Sequence, residues 1–181
     1  MPQQILTIVC QLNPTAEQIV KLDQVLQGFA EACRYINRTI CPSMTNKNRI
    51  QKEVYRAVRQ QFGLTANLAV RACARVAFRA TSVDYDARLF DYRAKEQCVS
   101  LSTLDGRERI PLVVGNYQIE KLKGRKPTSA ALCKRKDGKF YIHIQVKEEV
   151  AEPQTGHGVL GVDQLRDKPR RSGRGRIART E

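Results

Sequence analysis

The sequence predicts an α+β protein: a β domain with three helices inserted after its first strand. Three observations predict it. Apolar residues recur at three- and four-residue spacing between positions 15 and 80, the period of a helix face. From Ser82 onward the period changes to two, which suits strands buried on one side. Asp105-Gly106 and Asp137-Gly138 lie between the later apolar runs, where such dipeptides close tight hairpins.

Residues 4–12 (QILTIVCQL) are rich in Ile, Val and Leu and predict the first strand. Asn13-Pro14-Thr15 breaks it, and Thr15 with Gln18 three residues on forms a capping-box signal. Ile19, Leu22, Leu26, Phe29, Cys33, Ile36 and Ile40 then define one helical stripe, which Pro42 ends. A second helix is predicted from Asn46 to Phe62. Ile50, Val54, Ala57, Val58 and Phe62 face inward there, and Lys47, Arg49, Lys52, Arg56 and Arg59 face mostly outward. Gly63 is its stop signal. Thr65 offers an N-cap for a third helix to about Ala80, carrying Leu68, Ala72 and Val76.

Strands are expected at Val83–Tyr85, Leu89–Tyr92, Cys98–Thr103 and Arg109–Val114. Around the second hairpin, Phe140, Ile142, Ile144 and Val146 share one side. Tyr141, His143, Gln145 and Lys147 share the other, so one face is buried and one wet. Tyr117 to Leu122 reads as a short helix, and residues 148–158 (EEVAEPQTGHG) read as a linker.

The chain has 181 residues, enough for one or two domains, and 41% hydrophobic content supplies a core. Lys and Arg number 32 against 18 Asp and Glu, a formal charge of +14. Residues 164–181 account for +5, so the remainder is itself basic. Such a surplus is the electrostatic footprint of a polyanion binder, against the plainer alternative of a merely soluble cationic protein. The six cysteines are scattered without ligand spacing, and several fall on apolar positions. They read as small hydrophobes in a reducing cytoplasm rather than as a zinc site. No signal peptide or membrane-spanning run is visible in the sequence.

Two basic clusters stand out. Arg71, Arg75 and Arg79 recur every four residues on the third helix, and no acid occurs between Leu64 and Ala80. Like charges so placed repel unless an anion meets them, and guanidinium suits phosphate. The alternative is a solvated face whose partners come from elsewhere in the fold. Lys121, Lys123, Arg125 and Lys126 form the second cluster, able to hold backbone phosphates without reading sequence. Tyr35, Tyr55, Tyr117 and Tyr141 lie near basic residues and could stack on unpaired bases, although isolated tyrosines are more often packing residues. His143 has no His or Cys partner in sequence and reads as a wet-face residue. Ser/His/Asp, P-loop and GxGxxG arrangements are absent.

Asn13-Pro14-Thr15-Ala16-Glu17-Gln18, followed by Ala32-Cys33-Arg34-Tyr35-Ile36-Asn37, resembles the opening of TnpB (OrfB) proteins. These are transposon-encoded RNA-guided nucleases related to type V CRISPR effectors. Ser100-Leu101-Ser102-Thr103, Gly106-Arg107, Ile110-Pro111, Gly115-Asn116-Tyr117 and Gly138-Lys139-Phe140-Tyr141 extend the resemblance, which covers residues 4–163. It implies a wedge-type antiparallel β-barrel formed by residues 1–12 and 82–150, with a three-helix recognition lobe at 13–81. A linker at 151–157 would lead to the first strand of a RuvC (RNase H-like) nuclease domain at 158–163.

The resemblance further implies structured guide RNA and double-stranded DNA flanking a target as partners, with Asn67, Arg71 and Arg75 approaching the DNA. Lys47, Arg56, Arg79 and the Lys121–Lys126 loop complete the expected nucleic-acid-binding set. Asp163, in Gly158-Val159-Leu160-Gly161-Val162-Asp163, falls on the first RuvC carboxylate. Such sites hold two metal ions between several carboxylates. Residues 164–181 (QLRDKPRRSGRGRIARTE) do not continue the family pattern. The expectation is therefore a basic tail read out of frame and an Asp163 that is one metal ligand of an incomplete, inactive site. No cofactor is expected in this chain, and Mg2+ only where a full RuvC site is assembled. The expected protein is a cytoplasmic, nucleoid-associated, nucleic-acid-binding portion of a TnpB-like protein. Two alternatives stand beside it: an endonuclease completed through Asp163 by a second polypeptide, such as a downstream-encoded RuvC portion, and a remnant without function.

Overall fold

The computed structural model describes residues 3–75 and 80–149. β1 (Gln3–Leu12) is followed by α1 (Ala16–Thr39), α2 (Lys47–Phe62) and α3 (Ala66–Ala74). Then come β2 (Ser82–Asp86), β3 (Phe90–Arg93), β4 (Cys98–Thr103), β5 (Gly106–Val113), α4 (Asn116–Leu122), β6 (Pro127–Lys134) and β7 (Phe140–Glu149). The class is α+β, with seven antiparallel strands in the order β2-β6-β7-β1-β5-β4-β3.

The sheet curls into a nearly closed barrel. Its two ends meet where the Tyr85 hydroxyl of β2 donates to the Ser102 carbonyl of β4 at 3.1 Å. The Ser102 amide in turn donates to the Leu89 carbonyl at 2.9 Å. Tyr85 is 1% exposed, and burial pushes its hydroxyl pKa up, keeping it a neutral donor. β1 holds the middle, paired with β7 along most of its length and with β5 at its end.

The hairpin signals behave as their chemistry requires. Gly106, at φ +129°, lets β4 turn directly into β5, so β5 begins at Gly106 rather than at Arg109. Ser82–Asp86 extends the expected strand by a residue at each end, whereas Leu89 lies buried in the turn before β3. Along β7, burial alternates strictly from Phe140 to Val146.

Thr15 and Gln18 form the capping box at the start of α1, with both reciprocal bonds present. The buried stripe of α1 is Leu22, Val25, Phe29, Ala32, Cys33 and Ile36. Leu22, Phe29, Cys33, Ile36 and Ile40 of the expected stripe are buried, whereas Ile19 is 39% exposed and Leu26 half-buried at its edge. The seven positions read from sequence average 3.5 residues apart, and a straight helix drifts from that repeat by about 20° per heptad. Over 24 residues that drift carries the Ile19–Leu26 edge of the stripe toward solvent, while Leu22 stays buried.

α3 ends at Ala74, short of the expected Ala80, because Arg75 leaves helical geometry (φ −99°, ψ 89°). Thr65 occupies the N-cap position, yet its hydroxyl is buried without a partner and caps nothing. Residues 76–79, including Val76 and Arg79, lie outside the described residues.

α2 packs on α1 and α3, α1 on β2 and β4, α3 on β2, and α4 on β1. One continuous core joins the helices to the barrel interior. Gly28 fits the crossing of α1 with the end of α2, since an added Cβ would meet the Phe62 carbonyl at 3.4 Å. Among the described residues no helix is long and apolar enough to cross a membrane.

Candidate nucleic-acid interface

α3 lays its arginines along β2, and there the expected anion is already present. Arg71 pairs with Asp86 at 2.8 Å and Arg75 with Asp84 at 2.9 Å. Arg75 also donates to the carbonyl and the hydroxyl of Ser82 at 2.9 and 3.0 Å. The segment itself holds no acid, but strand alternation sends the side chains of Asp84 and Asp86 to the outside of β2, toward the helix. Burial pushes the Asp86 carboxyl up. The backbone amide of Arg88 and the guanidinium of Arg71 outweigh it and hold the group below the ordinary carboxylate range. Asn67 sits half-buried one turn before Arg71.

The loop after α4 repeats this pattern. Lys121 and Arg125 converge on Glu148 of β7, at 3.5 and 2.7 Å. Hydrogen bonding from Gln4, followed by the charges of Arg125 and Lys121, holds the Glu148 carboxyl low despite some desolvation. Lys123 and Lys126 remain exposed, with no carboxylate partner among the described residues.

A different surface carries open charge. Arg49, Lys52, Arg56 and Arg59 follow one another on α2 at spacings of three, four and three. At about 100° per residue they fall within one narrow arc, opposite the buried Ile50, Val54 and Val58. All four are exposed, and none has a carboxylate partner among the described residues. Asn46 caps the helix through the amides of Asn48 and Arg49, and Gly63 ends it at φ +61°. Arg59 lies 5.9 Å from the ring centroid of Tyr55. Lys47 is exposed too, but nine residues from Arg56 it points about 180° away. The sequence pattern puts all of these cations outward, and Lys47 and Arg56 are the two expected as contacts. The distinguishing signal was the acid count along the neighbouring strands, which only the fold assigns to particular helices.

Tyr35 packs on Phe62 at 5.6 Å between centroids, an internal contact. Tyr117 is 57% exposed on α4. Tyr141 lies beneath the Arg135 guanidinium at 3.9 Å and donates its hydroxyl to Asp137. His143 neighbours Cys133 at 3.6 Å, and desolvation with the Arg135 charge lowers its pKa.

All six cysteines are free thiols. Cys10, Cys33, Cys73 and Cys98 are buried, Cys133 is half-buried and Cys41 is exposed. Burial pushes Cys10 and Cys33 up to about 11, so they sit as neutral packing groups. No group of three or more His, Cys, Asp or Glu able to hold a metal occurs among the described residues. Asp163, the linker at 151–157, the strand expected at 158–163 and the tail at 164–181 lie outside them. No protein-family model matches the chain, and no curated protein matches it in sequence.

Proposed function

We propose that this chain is the nucleic-acid-binding N-terminal portion of a TnpB-like transposon protein, gripping structured guide RNA and target-flanking DNA without nuclease activity of its own. The observation that carries the binding is the outer face of α2, with four cations in one arc, Glu53 at its edge, and no ion pair to any of the four among the described residues. Like charges so close repel one another, and a phosphate backbone relieves the repulsion while releasing its condensed counterions. Lys123 and Lys126 add a second open patch. Arg71, Arg75, Lys121 and Arg125, each bound to a carboxylate, contribute through their remaining donors and by positioning. Contacts of this kind grip backbone and carry little sequence information, as suits a protein whose specificity is delegated to a guide.

The test is a binding titration of structured RNA and of duplex DNA across a salt series, with wild type and R49Q/K52Q/R56Q/R59Q. Wild type should lose about 0.7–0.9 units of log K per unit of log salt for every phosphate contacted. The quadruple variant should bind at least ten-fold more weakly, with a flatter slope. Equal affinity of the two proteins, or an affinity insensitive to salt, overturns the reading.

A further inference from the structure

The outer face of β6 and β7 carries chemistry that a backbone grip does not use. Strand register places Ser82, Cys133, Tyr141 and Gln11 in one cross-strand row, and Asp84, Ala131, His143 and Val9 in a parallel row. β6 contributes only short side chains to these rows, so the rings on β7 border a low floor. Tyr141 is fixed from two sides: its hydroxyl donates to Asp137 at 3.3 Å, and the Arg135 guanidinium stacks 3.9 Å from its ring centroid. His143 is two residues on, about 7 Å along the strand.

The surroundings are cationic. Lys136 and Lys139 on the hairpin and Lys147 on β7 are exposed, with no carboxylate partner among the described residues. Asp84 and Asp86 are engaged by Arg75 and Arg71, and Asp137 by Tyr141 and the Lys139 amide. Glu149, the exposed carboxylate of this face, lies at the far end of β7 beyond Lys147, so an anion approaching at Tyr141 and His143 meets open cations and engaged carboxylates.

We infer that the outer face of β6 and β7 binds an unpaired segment of nucleic acid, one base stacking on the Arg135–Tyr141 pair and the next on His143. A duplex offers its base edges in grooves but hides its base faces, and a sheet face carries no protruding helix to enter a groove. Unpaired bases present those faces, and aromatic rings and guanidinium planes are the groups that stack on them. The spacing of about 7 Å between the two platforms is twice the ~3.4 Å rise of a duplex strand, so it accepts two bases parted from each other. Lys136, Lys139 and Lys147 hold the phosphates. This site extends the nucleic-acid reading to a part of the ligand that α2 does not contact.

The test uses the full chain, a fluorescein-labelled 12-nucleotide oligouridine and a blunt RNA hairpin. Tyr141→Ala should weaken oligouridine binding about ten-fold, the order of one stacked base. The slope of log K against log salt should stay unchanged, because no phosphate contact is lost. Hairpin affinity should be unaltered, and Tyr141→Phe, which keeps the ring and its Arg135 stack, should retain most of the oligouridine affinity that Tyr141→Ala loses. The α2 quadruple variant should show the reverse pattern, losing the hairpin. Ultraviolet crosslinking of a 5-bromouridine oligomer to the wild-type protein gives a readout independent of any variant, and should mark the peptide spanning residues 140–147. A crosslink confined to other peptides overturns the inference, as does an equal loss on both ligands in Tyr141→Ala. Binding of the hairpin without oligouridine overturns this site alone. Binding of neither overturns the function proposed above as well.

Discussion

Asp86 of β2 holds Arg71 of α3 at 2.8 Å, and one residue pair along the same strand Asp84 holds Arg75 at 2.9 Å. Two arginines of a stripe that looks uncompensated in sequence, Arg71 and Arg75, are thus each matched by an acid that the fold delivers from another element. The same holds where Glu148 receives Lys121 and Arg125. Which cations face an external anion is decided by these pairings.

Removing the acids should release the arginines. In D84N/D86N, Arg71 and Arg75 lose their carboxylate partners, Arg75 keeping its bonds to Ser82, and the net charge rises by two. Affinity for structured RNA at low salt should rise several-fold, and the salt slope should steepen. Because these pairs are partly solvated, the stability cost should be about 1 kcal/mol or less per pair. Anisotropy titration alongside thermal melting measures both, and a fall in affinity would show that the acids serve binding instead.

The acid limb of stability should report the same carboxylates. Asp86, Glu148 and Glu108 are all held below their ordinary values, Glu108 chiefly by its hydrogen bond from Lys21. For a depressed carboxyl the unfolded chain binds protons first as pH falls. The stabilisation is therefore fully present above about pH 5 and is lost as pH drops through the ordinary carboxylate pKa of ~4 toward the folded values. Urea unfolding between pH 3 and 7 should show that loss, and D86N should show less of it than wild type.

Two residues of one sequence stripe should behave oppositely. Phe29 is fully buried, and Phe29→Ala should destabilise by about 3–5 kcal/mol. Ile19, in the same three-four pattern, is 39% exposed, and Ile19→Ala should cost less than about 1 kcal/mol. Chemical denaturation of the two variants checks the drift of the α1 stripe.

The helix ends offer a further comparison. Thr15→Ala removes a formed capping box and should cost about 1 kcal/mol. Thr65→Ala should cost nothing or stabilise slightly, since the Thr65 hydroxyl is buried without a partner. Gly63→Ala meets no atom within 4 Å but must keep φ at +61°, at about 1 kcal/mol. Differential scanning calorimetry ranks the three.

Much of the fold was legible because it is local. The Thr15–Gln18 capping box, the αL stop at Gly63, the Gly106 hairpin and the β7 alternation each follow from a few neighbouring residues. The exact face of α1 was not, because a 3.5-residue average and a 3.6-residue helix diverge over 24 residues. Nor was the end of α3, which follows from Arg75 reaching a strand seven residues away.

The candidate site divides along the same line. Composition alone determined that this protein carries a large positive surplus, and spacing determined which helix faces are cationic, because both are properties of consecutive residues. Only the tertiary structure decided which of those cations are open. Charge pairing acts through space over a few ångströms, and Asp84, Asp86 and Glu148 reach their arginines and lysine from elements that the sequence separates from them. Among the described residues, Arg49, Lys52, Arg56 and Arg59 on the outer face of α2 are cations that this pairing leaves without a carboxylate partner.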